Sequence, residues 1–148
     1  MSINTKLAQS GLPSREEFEN MFGTCDLEES DDIIENMIDH IIDYLDKYSS
    51  FLENLLQPDS SLVAMRESSV VDDATRVELY NLFKKIIYHK RLSLKVMLNP
   101  KNEYRIEYLK SLISFWKEIN FQLEKHVDDA LSVWKQQESE EPSQAYFG

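Results

Sequence analysis

Between residues 100 and 137, apolar side chains recur every seven residues in two columns. One column is Leu109, Trp116, Leu123 and Ala130, and the other is Leu112, Ile119, His126 and Val133. Two such columns form a narrow apolar seam along an α-helix, so the segment is predicted to pack lengthwise against other helices at small crossing angles. A helix this long exceeds the diameter of a small domain, and the molecule is therefore expected to be elongated.

Two earlier segments, residues 26–57 and 72–98, carry apolar residues at the three- and four-residue spacing of a helix. In residues 72–98 the apolar positions cover a broad arc, which predicts a helix packed on both sides and lying between the other two. Only 3 glycines and 4 prolines occur in 148 residues, a composition that suits long helices with few turns. The predicted fold class is all-α, an antiparallel bundle of three long helices at about 26–57, 72–98 and 100–137.

Shorter elements are predicted from capping and turn signals. Ser14 and Glu17 form a capping box that starts a short N-terminal helix. A short fourth helix is possible within residues 59–68. Asn99 and Pro100 are expected to supply a cap and a first-turn proline, and a connection this short makes the second and third long helices an antiparallel hairpin.

The expected organisation is a flexible N-terminus (residues 1–13), a single helical-bundle domain (14–137) and a flexible acidic tail (138–148). The chain is 42% hydrophobic, enough for a substantial core. Cys25 is the only cysteine, so no intramolecular disulfide can form. No signal peptide and no membrane span are recognised, and a cytoplasmic location is expected.

Charge is distributed unevenly along the chain, whose formal net charge is −11. Residues 26–57 hold ten acidic residues and one basic residue, whereas residues 72–98 hold three acidic and six basic residues. Such an acidic surface repels phosphate backbones and anionic lipids, so neither direct nucleic-acid binding nor membrane binding is expected. A protein with a basic surface is the expected kind of partner.

Within the first long helix, five acidic residues step by three or four positions along one face, which we call the acidic stripe: Asp32, Glu35, Asp39, Asp43 and Asp46. Like charges at this spacing repel one another by a few tenths of a kcal/mol per pair. Three interpretations remain open. The stripe is simply solvated, it pairs within the bundle with cations of the second long helix, or it is a docking face. The candidate cations are Lys84, Lys85, Lys90 and Arg91.

Three aromatic residues are further candidates for partner binding. Trp134 lies on the flank of the heptad seam, where an exposed indole would serve as an anchor. Tyr146 and Phe147 follow an acidic spacer and could form a linear docking motif.

No catalytic residue, metal site or cofactor is predicted. Asp31, Asp32 and Glu35 match an Asp-rich Mg²⁺ pattern, and His40 lies nearby, but no second ligand cluster is apparent. Cys25 lies just before a predicted helix start, but neighbouring carboxylates oppose thiolate formation. The glycine-rich loops that bind phosphate are missing from the sequence.

These observations favour a non-catalytic interaction protein, such as an adaptor, inhibitor or immunity-type factor, that binds a basic protein surface through its acidic helix. One alternative is a small all-α metal-dependent enzyme that uses Asp31, Asp32, Glu35 and His40. Another is a structural helical subunit that self-associates through apolar surface on the third long helix, so a homo-oligomer is possible.

Overall fold

The computed structural model describes residues 3–23 and 32–135, and within those ranges every regular element is a helix. The all-α prediction is therefore confirmed. A short 3-10 turn lies at Pro58–Ser60. No helix of the described ranges is long and apolar enough to cross a membrane. The α-helices are α1 (Ile3–Gln9), α2 (Arg15–Phe22), α3 (Ile33–Leu56), α4 (Leu62–Ser68), α5 (Asp73–Leu98) and α6 (Asn102–Trp134).

The heptad register of the last helix is confirmed by burial. All eight predicted positions of α6 are at most 5% exposed, and Leu109, Leu112 and Ile119 are completely buried. The seam packs against α3 and α5, and these three helices supply most of the continuous hydrophobic core, to which Leu7, Leu12, Phe18 and Phe22 also belong. Because α6 has 33 residues, at ~1.5 Å per residue it is about 50 Å long.

Cross-helix ion pairs establish the direction of the long helices. Lys85 Nζ lies 3.9 Å from Glu118 Oε1, and Lys125 Nζ lies 3.9 Å from Glu78 Oε2. Residue numbers rise along α5 as they fall along α6, so the two helices form the predicted antiparallel hairpin. Since α3 is also antiparallel to α5, it runs parallel to α6.

The prediction that the second long helix lies between the other two is wrong. Of the residues of α5, only Leu79, Leu82 and Ile86 are buried, and α3 makes the most extensive contacts with both neighbours. Nothing in the described ranges covers the outer side of α5, because α4 packs against α3 and α6 instead. Several of its large hydrophobic residues are consequently exposed: Val77, Tyr80, Tyr88, Leu94, Met97 and Leu98.

The boundaries of the long helices differ slightly from the predicted ones. The first begins at Ile33 rather than near residue 26, and residues 24–31 lie outside the described ranges. The third begins after Pro100, because Lys101 occupies the N-cap position in an extended conformation. It ends at Trp134, and the predicted acidic tail lies outside the described ranges.

The short elements agree with the prediction at two places. α2 begins after Ser14, whose hydroxyl accepts a hydrogen bond from the Glu17 amide at 3.2 Å. α2 ends at Phe22, and Gly23 is its C-cap, with φ +78°, a conformation that favours glycine. The possible short helix in residues 59–68 is present as α4, capped by the Ser61 hydroxyl.

The N-terminal segment differs from the flexible stretch expected in residues 1–13. It contains α1, and Leu7 and Leu12 are almost completely buried against the core. The Leu12 amide donates to the Leu7 carbonyl at 2.9 Å, and the Arg15 amide donates to the Asn4 side chain at 3.0 Å. Burial of two leucines stabilises a segment whose local sequence is mostly polar.

Candidate functional site

The acidic stripe lies on the exposed side of α3, opposite the core residues of that helix. Its positions follow the helical repeat, so the five carboxylates project from one face over ~20 Å. Asp32 is at the N-cap position, although its side chain makes no capping hydrogen bond there. The structure therefore brings together all five residues that the sequence pattern grouped.

Cations of α5 and α6 reach Asp46 and Glu35 of the stripe. Lys90 Nζ of α5 lies 2.6 Å from Asp46 Oδ1 and 3.3 Å from the hydroxyl of Ser49. Arg105 Nη2 of α6 lies 3.5 Å from Glu35 Oε2. Internal pairing, one of the three interpretations of the stripe, is thus present at Lys90, whereas Arg105 was not among the candidate cations.

The centre of the stripe lacks such compensation. Within the described ranges, no cation lies within ion-pair distance of Asp39 or Asp43. Desolvation raises the pKa of Asp39 above its ordinary value, and the negative charges of Glu35 and Asp43 raise it further, while Arg105 opposes the shift. Repulsion between carboxylates consequently persists where the internal cations end.

An apolar groove adjoins the stripe where the N-terminal half of α3 meets the α5–α6 turn. Its cavity volume is about 430 Å³. Glu35 and Asp39 contribute carboxylates to it, and Arg105 contributes the opposite charge. The apolar lining is supplied by Ile38, Ile42, Val96, Met97 and Pro100. We call this site the acidic groove.

Tyr108 gives the acidic groove a rigid wall. Its side chain is 95% buried, and its hydroxyl donates a hydrogen bond to the His89 carbonyl at 2.7 Å. Burial raises the pKa of the Tyr108 phenol to about 12, so the hydroxyl remains a neutral donor at physiological pH. The groove thus has preformed geometry on the α6 side.

The rim of the acidic groove continues into an exposed apolar tip at the C-terminus of α5. Met97 is 72% exposed and Leu98 is 88% exposed. Large apolar side chains rarely extend so far into water in a group, and contiguous exposed apolar surface marks interaction sites. An acidic edge, an apolar groove and an apolar tip therefore lie side by side.

The other predicted anchor, Trp134, lies at the far end of α6 from Arg105. The two residues are separated by 29 positions, or ~43 Å along the helix. Trp134 is 51% exposed, and its indole N–H donates to Glu67 Oε2 at 2.9 Å. Trp134 therefore belongs to a different surface from the acidic stripe, while Tyr146 and Phe147 lie outside the described ranges.

The residues considered for metal binding are only partly described. Asp31 and Cys25 lie outside the described ranges. His40 is engaged elsewhere, because its Nε2 lies 3.0 Å from the Phe22 carbonyl. Among the described residues, no group of three or more His, Cys, Asp or Glu side chains is placed to hold a metal ion.

Sequence reasoning missed the acidic groove because its residues come from three helices. Glu35 and Arg105 are 70 positions apart, and no local pattern connects them. The apolar residues at the end of α5, including Met97, are a usable signal, but the broad apolar arc of residues 72–98 predicts that they are packed rather than exposed. Comparison with known proteins finds no matching family model, no matching curated protein and no matching solved structure.

Proposed function

We propose that this chain is a non-catalytic interaction protein, an adaptor, inhibitor or immunity-type factor, and that its acidic stripe binds a basic surface on another protein. The observation that carries this proposal is a pair of carboxylates, Asp39 and Asp43, that form no ion pair within the described ranges and lie beside an apolar groove. An external cation would relieve the electrostatic repulsion between these carboxylates. The groove adds apolar surface, whose burial by a partner contributes further binding free energy.

The groove also limits the chemistry of the partner. A ligand that fits places an arginine or lysine against Asp39 and an apolar side chain between Ile38 and Val96. An amphipathic helix presents these two groups three or four residues apart on one face. A basic amphipathic helix of a partner protein is therefore the ligand class that the site fits best.

The test is quantitative capture of proteins from the native host, with Asp39→Asn combined with Asp43→Asn as the variant. Rim charges act mainly on the association rate, so the variant should capture the partner more slowly, and the difference should shrink at high salt. A control, Asp128→Asn combined with Asp129→Asn, removes the same charge from exposed positions of α6. It should leave capture unchanged.

A second variant examines the apolar part of the site. Met97→Glu places a charge at the rim of the groove, and because Met97 is 72% exposed the fold should be preserved. We expect slower capture and faster dissociation, since the new charge adjoins the apolar contact. If wild type and both site variants capture the same proteins to the same extent while remaining folded, the acidic groove is not the docking site.

A further inference from the structure

A second surface, on α5, is as unusual for this acidic chain as the acidic stripe. Six exposed residues follow one another at steps of three or four along the outward side of α5. We call this surface the α5 outer face, and its residues are Val77, Tyr80, Lys84, Tyr88, Arg91 and Lys95. The two tyrosines are 53% and 62% exposed, and Lys84 Nζ lies 5.1 Å from the centre of the Tyr80 ring.

The cations of the α5 outer face form no ion pair within the described part of the fold. Among the described residues, no carboxylate lies within ion-pair distance of Lys84, Arg91 or Lys95, whereas their neighbours Lys85 and Lys90 both pair with other helices. Exposed tyrosines between unpaired cations are typical of protein interfaces, where aromatic and basic side chains are enriched. The positive charge of the α5 outer face is complementary to an acidic surface.

We propose that a second copy of this chain covers this surface, with the α5 outer face of each copy lying on the acidic side of α3 in the other. The chain itself carries the acidic counterpart, because α3 has a row of carboxylates at the same three- and four-residue steps. In a closed two-fold dimer each copy supplies both faces, so both surfaces are satisfied at once.

The packing of α3 against α5 determines the register of this dimer. The Lys90–Asp46 ion pair places these two residues at the same height along the bundle. A two-fold axis parallel to the helices sets α5 of one copy antiparallel to α3 of the other and preserves these heights. An axis perpendicular to the helices would instead set α3 against α3 and α5 against α5, which like charges oppose.

With the heights preserved, each step up α5 corresponds to an equal step down α3 of the second copy. Arg91 then lies opposite Asp46, and Lys84, seven positions earlier, lies opposite Glu53, seven positions later. Lys95 lies near Asp43 by the same rule. The three unpaired cations therefore meet three carboxylates without any adjustment of the register.

The available area suits a dimer of modest strength. Two neighbouring antiparallel helices, α3 and α5, each about 35 Å long and ~10 Å apart, present roughly 700 Å² per copy, within the size class of specific interfaces. Tyr80, Leu94 and Leu98 add exposed apolar surface on the α3 side of α5. Because each copy has a formal net charge of −11, long-range repulsion opposes assembly unless salt screens it, as it does beyond ~8 Å at 0.15 M.

The experiment measures mass by sedimentation equilibrium at ~0.15 M salt over the micromolar range, with two charge-reversed variants. One is Lys84→Glu with Lys95→Glu, and the other is Asp43→Lys with Glu53→Lys. Wild type should rise from 17.4 kDa to twice that mass. Each variant alone should remain at 17.4 kDa, because like charges then face each other in both halves of the interface.

Mixing the two variants is the decisive step. Every opposed pair then has opposite charges, so a 1:1 heterodimer should form. A charge-matched control, Lys117→Glu with Lys135→Glu, alters exposed cations away from this face and should dimerise like wild type. A wild-type mass that stays at 17.4 kDa throughout, or a mixture that stays monomeric when wild type dimerises, overturns the proposal.

The dimer uses part of the surface assigned above to a basic partner, so the two proposals are tested separately. Lys84→Glu with Lys95→Glu leaves α3 unchanged, and this variant should still capture a basic partner even though it cannot dimerise. Failure of dimerisation with intact capture would remove only the dimer. Dimerisation with no capture dependent on Asp39 would remove only the proposed function.

Discussion

At the residue scale, Asp39 shows how local repulsion can remain in a stable fold. It lies between Glu35 and Asp43 at helical spacing, and only Arg105 offsets the surrounding negative charge. Because its pKa is raised in the folded state, ionised Asp39 lowers stability at neutral pH. This cost disappears as the pH falls through the raised pKa and the carboxyl becomes neutral.

We therefore expect Asp39→Asn to stabilise the protein by a few tenths of a kcal/mol at pH 7. The substitution keeps the shape of the side chain and removes the charge that Glu35 and Asp43 repel. Urea unfolding at low salt measures the change. Asp129→Asn is the matched control, because Lys125 rather than another acid precedes it by four positions, and it should show no gain.

A loss of stability in Asp39→Asn would mean that the carboxylate is held by a cation within the fold. In that case Asp39 would already be compensated within the fold, and an external cation would gain nothing by binding there.

At the element scale, α6 carries most of the architecture. Its heptad columns contact both other long helices, and Ile119 lies at the middle of the seam with no exposed surface. By contrast, Phe121 is only two positions away on the same helix and is 80% exposed. The same helix therefore contains a matched pair of positions, one structural and one solvent-facing.

We expect Ile119→Ala to lower the free energy of unfolding by ~2–5 kcal/mol, because it removes buried methyl groups and leaves a cavity. Phe121→Ala should change it by less than ~0.5 kcal/mol. Chemical denaturation monitored by circular dichroism gives both values. Equal effects of the two substitutions would show that the heptad register is misplaced.

At the scale of the whole molecule, two histidines, the buried His126 and the half-buried His89, couple stability to pH. His126 occupies a core heptad position and is 5% exposed, and His89 stacks on Phe115 with 3.8 Å between ring centres. Burial is the main cause that lowers the pKa of both side chains, with Lys125 lowering that of His126 further. Nearby carboxylates, including Glu78 beside His126 and Glu118 beside His89, partly oppose these shifts.

The sign of the pH effect follows from these shifts. Below pH 6.5, the ordinary pKa of a histidine side chain, the unfolded chain takes up protons that the folded chain does not. The free energy of unfolding should therefore be highest above pH 6.5. It should fall as the pH decreases from there towards the lowered folded-state pKa values of His89 and His126. Urea unfolding between pH 7.5 and pH 5.5 measures this loss.

NMR titration of the imidazole ring protons checks the cause residue by residue. His126 should titrate below 6.5 in the folded protein. A midpoint at or above 6.5 for both His89 and His126 would show that any acid sensitivity arises elsewhere. The readout needs no substitution, so it does not depend on a variant folding.

Much of this architecture was predictable because the packing faces of a helix follow from the short-range spacing of its apolar residues. The register of α6, the α5–α6 hairpin, the capping box at Ser14 and the grouping of the acidic stripe on one face all follow from spacings of three, four and seven residues. These spacings translate directly into faces of a helix, since the helical repeat is the same in every sequence context.

Only the tertiary structure decided which faces are covered. The apolar arc of α5 predicted burial on both sides, yet Met97 and Leu98 are exposed, because no described element packs on the outer side of that helix. Conversely, the polar N-terminal segment forms α1, because Leu7 finds a site in the core. Burial depends on what lies opposite a residue in space, and periodicity along the chain does not specify that.

The acidic groove likewise depends on how the helices lie relative to one another in space. Glu35 and Arg105 come together only because α3 and α6 run parallel past the α5–α6 turn, and Lys90 reaches Asp46 only because α5 is antiparallel to α3. The sequence by itself determined that α3 carries a row of carboxylates. Which of them are compensated, and which remain for a partner, was determined by the distances between helices, since Coulomb interactions depend on separation in space rather than along the chain.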